Sequence, residues 1–588
     1  MKSLLEVLSD EVGAAFEKAG YRREAGNVTL SNRPDLCEFQ CNGALSLAKE
    51  AHKAPIAIAE EVAGFLIENP CFSEAAAVKP GFLNLKLSGE YLVGLLNSMK
   101  APDFGYENSG EKQCIILDYG GPNVAKPLHI GHLRSAIIGD SIRRILSFAG
   151  HRVIGDIHLG DWGLQMGLII TELKKRKGGL PYFDESFDGE YPKEPPFTLS
   201  ELEEIYPTAS LKAKEDEAYK KEAMEATLDL QHGRKGYYVL WRHIMNVSTE
   251  DLKRNYRNLN VEFDLWKGES DADAYIPKLV EKLKESGQAY ESQGALVVDV
   301  SEEDDKKEIP PCMILKSDGA ALYTTTDLGT LMQREEEYHP DRIIYVVDKR
   351  QALHFEQVFR CAKKTGIVPE SMRLDFLGFG TMNGPDGQPF KTREGGVMRL
   401  EALISDVNAN MLEKMCVDGV ELSEKEVRET ATIVALSAIK YGDLSNQASK
   451  DYVFDIEKFT SFEGNTGPYI LYTIVRIKSI LRKHAEAGGS LEKIKILPPE
   501  SGQEKALMLK LTQFSATVHT AAAELAPHKI CAFMYEIANE FNRFYHETKI
   551  LSEENNERKQ SLIGLITLTR EILSTCLGLL GMEAAEKM

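Results

Sequence analysis

Residues 114–150 read CIILDYGGPNVAKPLHIGHLRSAIIGDSIRRILSFAG. This stretch begins with an apolar run that is typical of a buried strand, and it continues through a loop that contains glycine and proline. After the loop, apolar residues recur near helical spacing, at Leu133, Ala136, Ile137, Ile145 and Ala149. We expect this helix to end at Gly150, because glycine is common just past a helix C-terminus. A strand, a glycine-bearing loop and a helix in this order indicate an α/β fold.

Further strand and helix patterns alternate downstream of this stretch. Residues 151–160, 342–348 and 374–380 are strand-like, and residues 352–366 form a helical pattern between two of these strands. Such alternation predicts a Rossmann-like, HUP-type parallel sheet that is doubly wound by helices. Charged helical segments lie between the two halves of this pattern, and they predict an insertion over about residues 171–318.

Two further domains are predicted on either side of this α/β domain, which we place at residues 111–450. Residues 1–110 mix short helical and strand patterns and end in the turn-rich sequence APDFGYENSGEKQ. Residues 451–588 nearly lack strand patterns and read as successive amphipathic helices. The chain is therefore expected to form an N-terminal α/β domain, a Rossmann-like domain with an insertion, and a C-terminal all-α helical bundle.

The composition is that of a multidomain globular protein. With 588 residues, of which 43% are hydrophobic, the chain exceeds the size of one hydrophobic core. The N-terminus suits an amphipathic helix rather than a signal peptide, and we expect no membrane segment. Nine scattered cysteines resemble neither a disulfide framework nor zinc knuckles, so we predict a cytoplasmic protein without a metal site of its own. A net charge of −20 argues against general nucleic-acid coating, although a local basic patch can coexist with it.

The sequence His129-Ile130-Gly131-His132 lies where the loop meets the helix. Helix N-termini offer unpaired N–H groups and positive potential, and both favour phosphate. Two imidazoles at this place can donate hydrogen bonds to an α-phosphate while charge builds on it, and Gly131 leaves room for a purine. Taken alone, a His-x-x-His pair fits a structural or metal-binding role equally well.

The longer sequence DYGGPNVAKPLHIGHLRSAIIGD resembles the signature of class I aminoacyl-tRNA synthetases and, over its full length, that of the arginyl-tRNA synthetases. The resemblance covers essentially the whole chain. It implies a ligase that uses ATP, with Mg²⁺ on the phosphates, to activate L-arginine as arginyl-adenylate. Enzymes of this family then transfer arginine to the 2′-hydroxyl of the terminal adenosine of arginine tRNA and release AMP and pyrophosphate. The resemblance also implies a monomer.

A second motif of the class departs from its usual pattern in this chain. Most class I synthetases carry a KMSKS loop that supplies two lysines to the pyrophosphate, whereas residues 386–396 read DGQPFKTREGG. The first of those lysines is absent, and the resemblance implies that Lys126 takes over part of its work. The catalytic set implied in this way consists of His129, His132, Lys126, Lys391 and Arg393. A mobile surface hairpin is the alternative for residues 386–396.

The resemblance also implies the residues of two substrate sites. A cationic guanidinium needs carboxylates, because its planar donors pair best with carboxylate oxygens. The arginine site is implied at Asp118, Asn123, His129, Tyr323, Asp327 and Gln351. The ATP site is implied at His129, Gly131, His132, His158, Gly160, Asp161, Gly380 and Lys391. Tyr323 and Asp327 are one helical turn apart and can face one pocket, while an exposed ion pair is the alternative for Asp327.

Residues in both flanking domains are implied contacts for tRNA. The sequence NRPDLCEFQCNGALSLAK resembles the domain that arginyl enzymes place against the tRNA elbow, and FEGNTGPYILYTIVRI resembles the start of a DALR-type anticodon-binding domain. The implied contacts are Phe39, Gln40, Asn42, Tyr469, Tyr472, Arg476 and Arg482. A core helix with inward tyrosines and a solvated basic face is the alternative for the C-terminal set.

Two rival functions stay open on the sequence. A nucleotidyltransferase with the same HxGH chemistry could use a small-molecule acceptor, but it would not need a long C-terminal helical bundle. A non-catalytic tRNA-binding paralogue could retain the fold, although four intact residues argue against it: His129, His132, Asp118 and Asp327.

Overall fold

The computed structural model describes residues 3–33, 35–108, 110–317, 319–388, 398–416, 423–491 and 494–588. The chain divides into two compact units. The first unit contains residues 1–109, 462–578 and 583–588, and the second contains residues 110–461 and 579–582. The two ends of the chain therefore share one unit, and the middle of the chain forms the other.

The N-terminal part of the first unit is an antiparallel sheet with four helices. Its elements are α1 (Leu4–Lys18), β1 (Val28–Leu30), β2 (Phe39–Cys41), α2 (Gly43–Leu47), α3 (Pro55–Leu66), β3 (Phe72–Val78), β4 (Phe82–Leu87) and α4 (Gly89–Ser98). Helix α1 begins with a capping box, in which Ser3 and Glu6 each accept a hydrogen bond from the other's backbone N–H. The strands pair in the order β1-β2-β4-β3, and alternate residues of β4 enter the core.

The second unit contains the α/β fold that the sequence predicts. In chain order its elements are β5 (Cys114–Tyr119), α5 (Ile130–Phe148), β6 (Arg152–Leu159), α6 (Leu164–Lys177), α7 (Leu199–Glu215), α8 (Glu217–Gln231), α9 (Lys235–Asn258), β7 (Leu265–Gly268), α10 (Glu269–Asp273), α11 (Ile276–Glu285), β8 (Ala289–Ser292), β9 (Ala295–Val298), β10 (Cys312–Leu315), α12 (Tyr323–Tyr338), β11 (Arg342–Asp348), α13 (Ala352–Lys364), β12 (Arg373–Phe379), β13 (Met382–Asn383), α14 (Leu400–Met415), α15 (Glu424–Leu444), β14 (Tyr452–Val453) and α16 (Ile456–Phe459). Gly150 follows α5 with a φ of 92°, a conformation that favours glycine and explains why the helix ends there.

Five parallel strands form the central sheet of the second unit, in the order β12-β11-β5-β6-β7. The chain runs outward from β5 on one side and later returns to β11 on the other, so the switch point lies between β5 and β11. This topology confirms the Rossmann-like parallel sheet. The prediction of one continuous insertion over residues 171–318 is wrong, because β7 lies within that stretch and pairs with β6. Helices α7 to α9 precede β7, and β8, β9 and β10 form a separate antiparallel sheet after it.

The C-terminal part of the first unit is a helical bundle, as predicted. It contains α17 (Gly467–Glu486), α18 (Gly502–Leu511), α19 (Phe514–Glu524), α20 (Pro527–Glu547) and α21 (Asn556–Leu579). Helix α21 is long and apolar enough to cross a membrane, which the sequence analysis did not anticipate. Within its most apolar stretch, 61% is buried inside the structure, so packing in a protein core accounts for this composition.

A buried ion pair fixes helix α5 within the second unit. Arg134 on α5 is buried, and its Nε donates to Asp443 Oδ2 of α15 at 2.9 Å. The same guanidinium donates to Gly380 O at 2.6 Å and to Lys450 O at 3.1 Å. The hydroxyl of Tyr452 donates to Asp443 Oδ2 at 2.7 Å. Because both charges are buried, removing one partner leaves the other without compensation.

We predict that Asp443→Ala lowers the free energy of unfolding of the second unit by about 3–5 kcal/mol, the usual cost of leaving one buried charge unpaired. Denaturation followed by tryptophan fluorescence measures this change, since Trp162, Trp241 and Trp266 all lie in the second unit. The control Glu457→Gln breaks an ion pair whose carboxylate is exposed, and it should leave the midpoint unchanged. Equal midpoints for Asp443→Ala and the unaltered protein would contradict the prediction.

Candidate active site

Two histidines cap the N-terminus of helix α5. His129 is the N-cap residue, and its Nδ1 accepts a hydrogen bond from Gly131 N–H at 3.0 Å. His132 Nδ1 accepts a hydrogen bond from His129 N–H at 3.2 Å. Since both Nδ1 atoms are acceptors, each neutral ring carries its proton on Nε2. A Cβ at Gly131 would lie 2.8 Å from His129 Cε1, which explains the glycine between the two histidines.

Both rings are neutral near pH 7. Burial, together with smaller contributions from His129 and Lys126, lowers the pKa of His132 to about 3. Burial also lowers the pKa of His129, with a second contribution from Lys126. The Lys126 Nζ atom lies 4.4 Å from the ring centroid of Tyr206 on α7. This end of α5 therefore offers two neutral N–H donors and one nearby cation at the positive pole of a helix, an arrangement suited to phosphate.

The residues that follow the second motif contact the start of α5. Ile130 N–H donates a hydrogen bond to Met398 O at 3.2 Å. This backbone contact places Met398 next to the start of α5, where the two histidines lie. Lys391 and Arg393 lie outside the described residues, so the catalytic roles implied for them stay predictions.

Four predicted residues lie where β5 and β6 end. Asn123 forms an isolated bridge with Gly160, and a Cβ at Gly160 would lie 2.0 Å from Asn123 Oδ1. Both ring nitrogens of His158 are buried and have no hydrogen-bond partner among the described residues. Asp161 accepts hydrogen bonds from the Ser270 N–H at 3.0 Å and the Ser270 hydroxyl at 2.6 Å, and burial raises its pKa to about 6. Asp161 therefore holds the turn after β7, whereas His158 has hydrogen-bonding capacity to spare.

Two further predicted residues follow β11 and β12. Gly380, after β12, is buried, and a Cβ there would lie 2.5 Å from Asp451 Oδ1. Its carbonyl accepts the hydrogen bond from Arg134, so its glycine identity serves close packing of the chain. Gln351 precedes α13 and is exposed, which leaves its amide accessible to a ligand.

Helix α12 places Tyr323 and Asp327 one turn apart, as predicted. The Tyr323 side chain is at the first position of the helix and is 76% exposed. The Asp327 side chain is only 21% exposed, and its Oδ2 lies 2.6 Å from His354 Nε2 on α13. Asp327 is therefore not an exposed helical carboxylate. His354 was missed by the sequence analysis, although it stands three residues after the predicted Gln351.

An arginine of the protein itself pairs with Asp118. Arg334, on α12, is buried and donates to Asp118 Oδ2 at 2.5 Å and to Asp156 Oδ2 at 2.6 Å. The same side chain donates to the Tyr345 hydroxyl at 3.0 Å. Asp118 is therefore already compensated by a positive charge. No local pattern signals this pairing, because Asp118 and Arg334 are 216 positions apart.

A cavity of about 240 Å³ lies between α10 and the start of α12, and Trp162, Glu269 and Tyr323 are among its lining residues. Burial raises the pKa of Glu269 to about 7, and the nearby carboxylates of Asp161 and Asp327 also raise it. Tyr323, one turn before Asp327 on α12, lines the same cavity as Glu269. Glu269 was missed by the sequence analysis, because it follows β7, the strand that was mistaken for part of an insertion.

The three N-terminal residues implied for tRNA binding differ in exposure. Phe39 is 3% exposed and packs in the core, so its ring is not available to stack on a base. Gln40 donates from Nε2 to Asn84 Oδ1 at 2.9 Å. Asn42 is exposed at the start of α2. Asn42 is thus the most accessible of the three.

The four C-terminal residues implied for tRNA binding lie on α17. Tyr469 is half-buried and its hydroxyl donates to Asn539 Oδ1 at 2.8 Å. Tyr472 is 41% exposed, and the Arg476 guanidinium lies 4.8 Å from its ring centroid. Arg482 is exposed and lies nearly three turns after Tyr472. The face therefore combines an accessible ring with cations, while Tyr469 belongs to a hydrogen-bond network inside the bundle.

Family models match three successive parts of the chain. Residues 96–456 match the catalytic domain of the class I tRNA synthetases of the arginyl type, described as "tRNA synthetases class I (R), catalytic domain". Residues 3–87 match the arginyl tRNA synthetase N terminal domain, and residues 470–588 match the DALR anticodon binding domain. The catalytic match contains the capped start of α5, α10 and α12.

Relatives match the chain from end to end. The chain is 60% identical to the arginine–tRNA ligase of Agathobacter rectalis and 56% identical to that of Alkaliphilus oremlandii, with 100% of each chain covered. Among solved structures, the arginyl-tRNA synthetase of Plasmodium falciparum matches at 26% identity with a TM-score of 0.80 over 100% of both chains. Matches of this extent set aside both rival functions. The chain therefore belongs to the arginyl-tRNA synthetases, class I ligases that join arginine to tRNA at the expense of ATP.

Proposed function

We propose that the guanidinium of L-arginine binds between the carboxylates of Asp327 and Glu269, beside the ring of Tyr323. The observation that carries this proposal is that Glu269 and Tyr323 line one cavity, with Asp327 one turn after Tyr323 on α12. A planar guanidinium presents donors in a fixed fork and can pair with two carboxylates at once, which a lysine ammonium cannot do in the same geometry. This site selects arginine by charge and by shape together.

The other end of the amino acid lies, in this proposal, at the switch point of the sheet. Asn123 after β5 and Gln351 after β11 offer amide groups to the α-amino and carboxylate groups of arginine, and His129 lies between them and α5. Ligands of such sheets bind outside the carboxyl ends of the strands, where the strand order reverses. Asp118 supports this end through its ion pair with Arg334, which holds α12 against the sheet.

ATP binds at the N-terminus of α5, with its α-phosphate at the Nε2–H groups of His129 and His132. Gly131 allows the His129 ring to lie against the start of the helix, and His158 and Gly160 border the proposed site at the end of β6. Neutral donors at fixed positions stabilise charge on the phosphate while the arginine carboxylate attacks it. Mg²⁺, when bound, offsets the charge of the phosphates, and the described residues contain no group of three or more acidic, histidine or cysteine side chains that could hold a metal.

Three cations complete the phosphate site in this proposal. Lys126 leaves the ring of Tyr206 and contacts the phosphates when ATP is bound. Lys391 and Arg393 approach the β- and γ-phosphates from the segment that ends at Met398, whose carbonyl already contacts α5. The 2′-hydroxyl of the terminal adenosine of tRNA then accepts the arginine from the adenylate.

The tRNA contacts lie on both parts of the first unit. We propose that Asn42 and Gln40 contact the elbow of arginine tRNA, with Phe39 holding their strand in the core. Anticodon bases stack on Tyr472, and Arg476 and Arg482 neutralise phosphates. The proposed enzyme acts as a monomer in the cytoplasm.

We predict that Asp327→Asn raises the KM for arginine by about 10- to 100-fold, the effect of losing a hydrogen bond to a charged group. The KM for ATP should change less than about threefold, because ATP binds at α5 and not at this carboxylate. Steady-state aminoacylation of arginine tRNA with each substrate varied measures both constants. The control Glu336→Gln alters an exposed carboxylate on the same helix. An unchanged arginine KM for Asp327→Asn would remove this residue from the pocket.

His132→Asn should lower kcat by about 100- to 1000-fold, which is the usual effect of removing one donor to a developing negative charge. The asparagine Oδ1 can still accept the hydrogen bond from His129 N–H, so helix α5 stays capped while the Nε2–H donor is lost. Single-turnover formation of arginyl-tRNA measures the chemical step, and thermal denaturation checks the fold. A normal rate with this variant would exclude His132 from catalysis.

The KM for arginine should rise about tenfold when the pH falls from 8 to 6, because only the ionised form of Glu269, whose pKa is about 7, pairs with a guanidinium. The affinity is thus present above this pKa and is lost as the pH falls through it. Glu269→Gln removes the titrating group, so its arginine KM should be high and nearly constant over this range. A pH dependence that persists in Glu269→Gln would assign the effect to another group.

A further inference from the structure

His354 makes a short hydrogen bond to the carboxylate that we assign to arginine recognition. Its Nε2 atom lies 2.6 Å from Asp327 Oδ2, and its side chain is 29% exposed. It stands in the first turn of α13, three residues after Gln351. The next residue, Phe355, is buried in the core and meets the His354 ring edge-on at 5.2 Å between centroids. The imidazole is therefore held by the protein and not by solvent.

We propose that His354 is a positioning residue for arginine specificity: its hydrogen bond fixes the Asp327 carboxylate so that the other oxygen, Oδ1, meets the guanidinium. The inference rests on the proposed role of Asp327. His354 itself does not touch the substrate in this proposal. It acts on the substrate only by holding Oδ2 of the Asp327 carboxylate.

The physical reason lies in the geometry of a guanidinium. Its donors form a rigid plane, so a carboxylate pairs well with them only in a restricted set of orientations. The terminal torsion of an aspartate is soft, and an unheld carboxylate loses rotational freedom when the substrate binds. A hydrogen bond that sets this torsion in advance removes that cost, provided that the partner is itself rigid. The contact between His354 and Phe355 supplies that rigidity.

The position of Glu269 makes the orientation of Asp327 more important. Glu269 enters the site from α10, whereas Asp327 enters from α12, and α10 and α12 pack against each other. The planar guanidinium can pair with both carboxylates only if the planes of the two carboxylates suit its fixed donor directions. Through its side chain, His354 is the described residue that fixes the orientation of the Asp327 carboxylate.

A purely structural role for His354 predicts different experimental results from a positioning role. If the hydrogen bond served only to join α12 and α13, its loss would lower stability and would affect arginine and ATP alike. A positioning role affects the arginine KM selectively, and it disappears when Asp327 no longer carries the charged group that is being positioned.

The test compares His354→Ala and His354→Gln with the control His339→Asn, which alters an exposed histidine at the far end of α12. Aminoacylation of arginine tRNA gives kcat and the KM values for arginine and ATP. We expect His354→Ala to raise the arginine KM about tenfold, with kcat and the ATP KM within about threefold of the unaltered protein. The glutamine amide can reach the place of Nε2, so His354→Gln should recover most of the loss. An unchanged arginine KM in His354→Ala, with normal thermal stability, overturns the proposal.

A double-mutant cycle with Asp327→Asn separates this inference from the function on which it rests. If His354 acts through Asp327, adding His354→Ala to Asp327→Asn should raise the arginine KM by less than about twofold. Multiplication of the two single effects would show that His354 acts independently and would overturn the inference. No effect of Asp327→Asn by itself would instead overturn the proposed arginine site. If Asp327→Asn raises the arginine KM as expected but His354→Ala leaves it unchanged, the inference on His354 is overturned and the proposed arginine site is retained.

Discussion

The buried guanidinium of Arg334 is the interaction on which the arginine site depends. It joins α12 to the two central strands through Asp118 on β5 and Asp156 on β6. Burying charges without partners costs several kcal/mol, so Asp118 and Asp156 depend on the one guanidinium that they share. Burial raises the pKa of Asp156, and the positive charge of Arg334 opposes that effect. The ion pairs of Arg334 with Asp118 and Asp156 fix the position of α12 relative to the sheet.

The ion pair also positions the carboxylate of Asp327, which we propose to face the substrate. Asp327 precedes Arg334 by seven residues, which is two helical turns, so both lie on the same face of α12. One end of this face is anchored by Arg334 in the sheet, and the other end presents Asp327 at the carboxyl edge of the strands. Asp118 shares the single positive charge of Arg334 with Asp156. Asp327 and Glu269 have no hydrogen bond to Arg334, and they are the carboxylates that we propose for the incoming guanidinium.

The sequence predicts the local parts of this site and misses the parts that depend on distant pairing. The strand β5, the capped helix α5 and the one-turn spacing of Tyr323 and Asp327 follow from patterns within about 40 residues. Strand β7 has only four residues, and its place in a parallel sheet depends on pairing with β6, from which it is separated in the chain by the four helices α6 to α9. Glu269 was missed for this reason. Phe39 was misjudged because an aromatic residue in a sequence motif carries no sign of its burial.

Two substrates of opposite charge must meet within one site, and the charges of the described residues are arranged accordingly. At the α5 end, His129 and His132 are neutral, so they donate hydrogen bonds to phosphate without adding charge that the arginine cation would oppose. The positive potential there comes from the helix N-terminus and Lys126. At the α12 end, the carboxylates of Asp327 and Glu269 would attract the guanidinium in the proposed site. Because the histidines at the α5 end are neutral, both potentials can coexist, whereas a charged imidazole would weaken the carboxylate contacts that are proposed to select arginine.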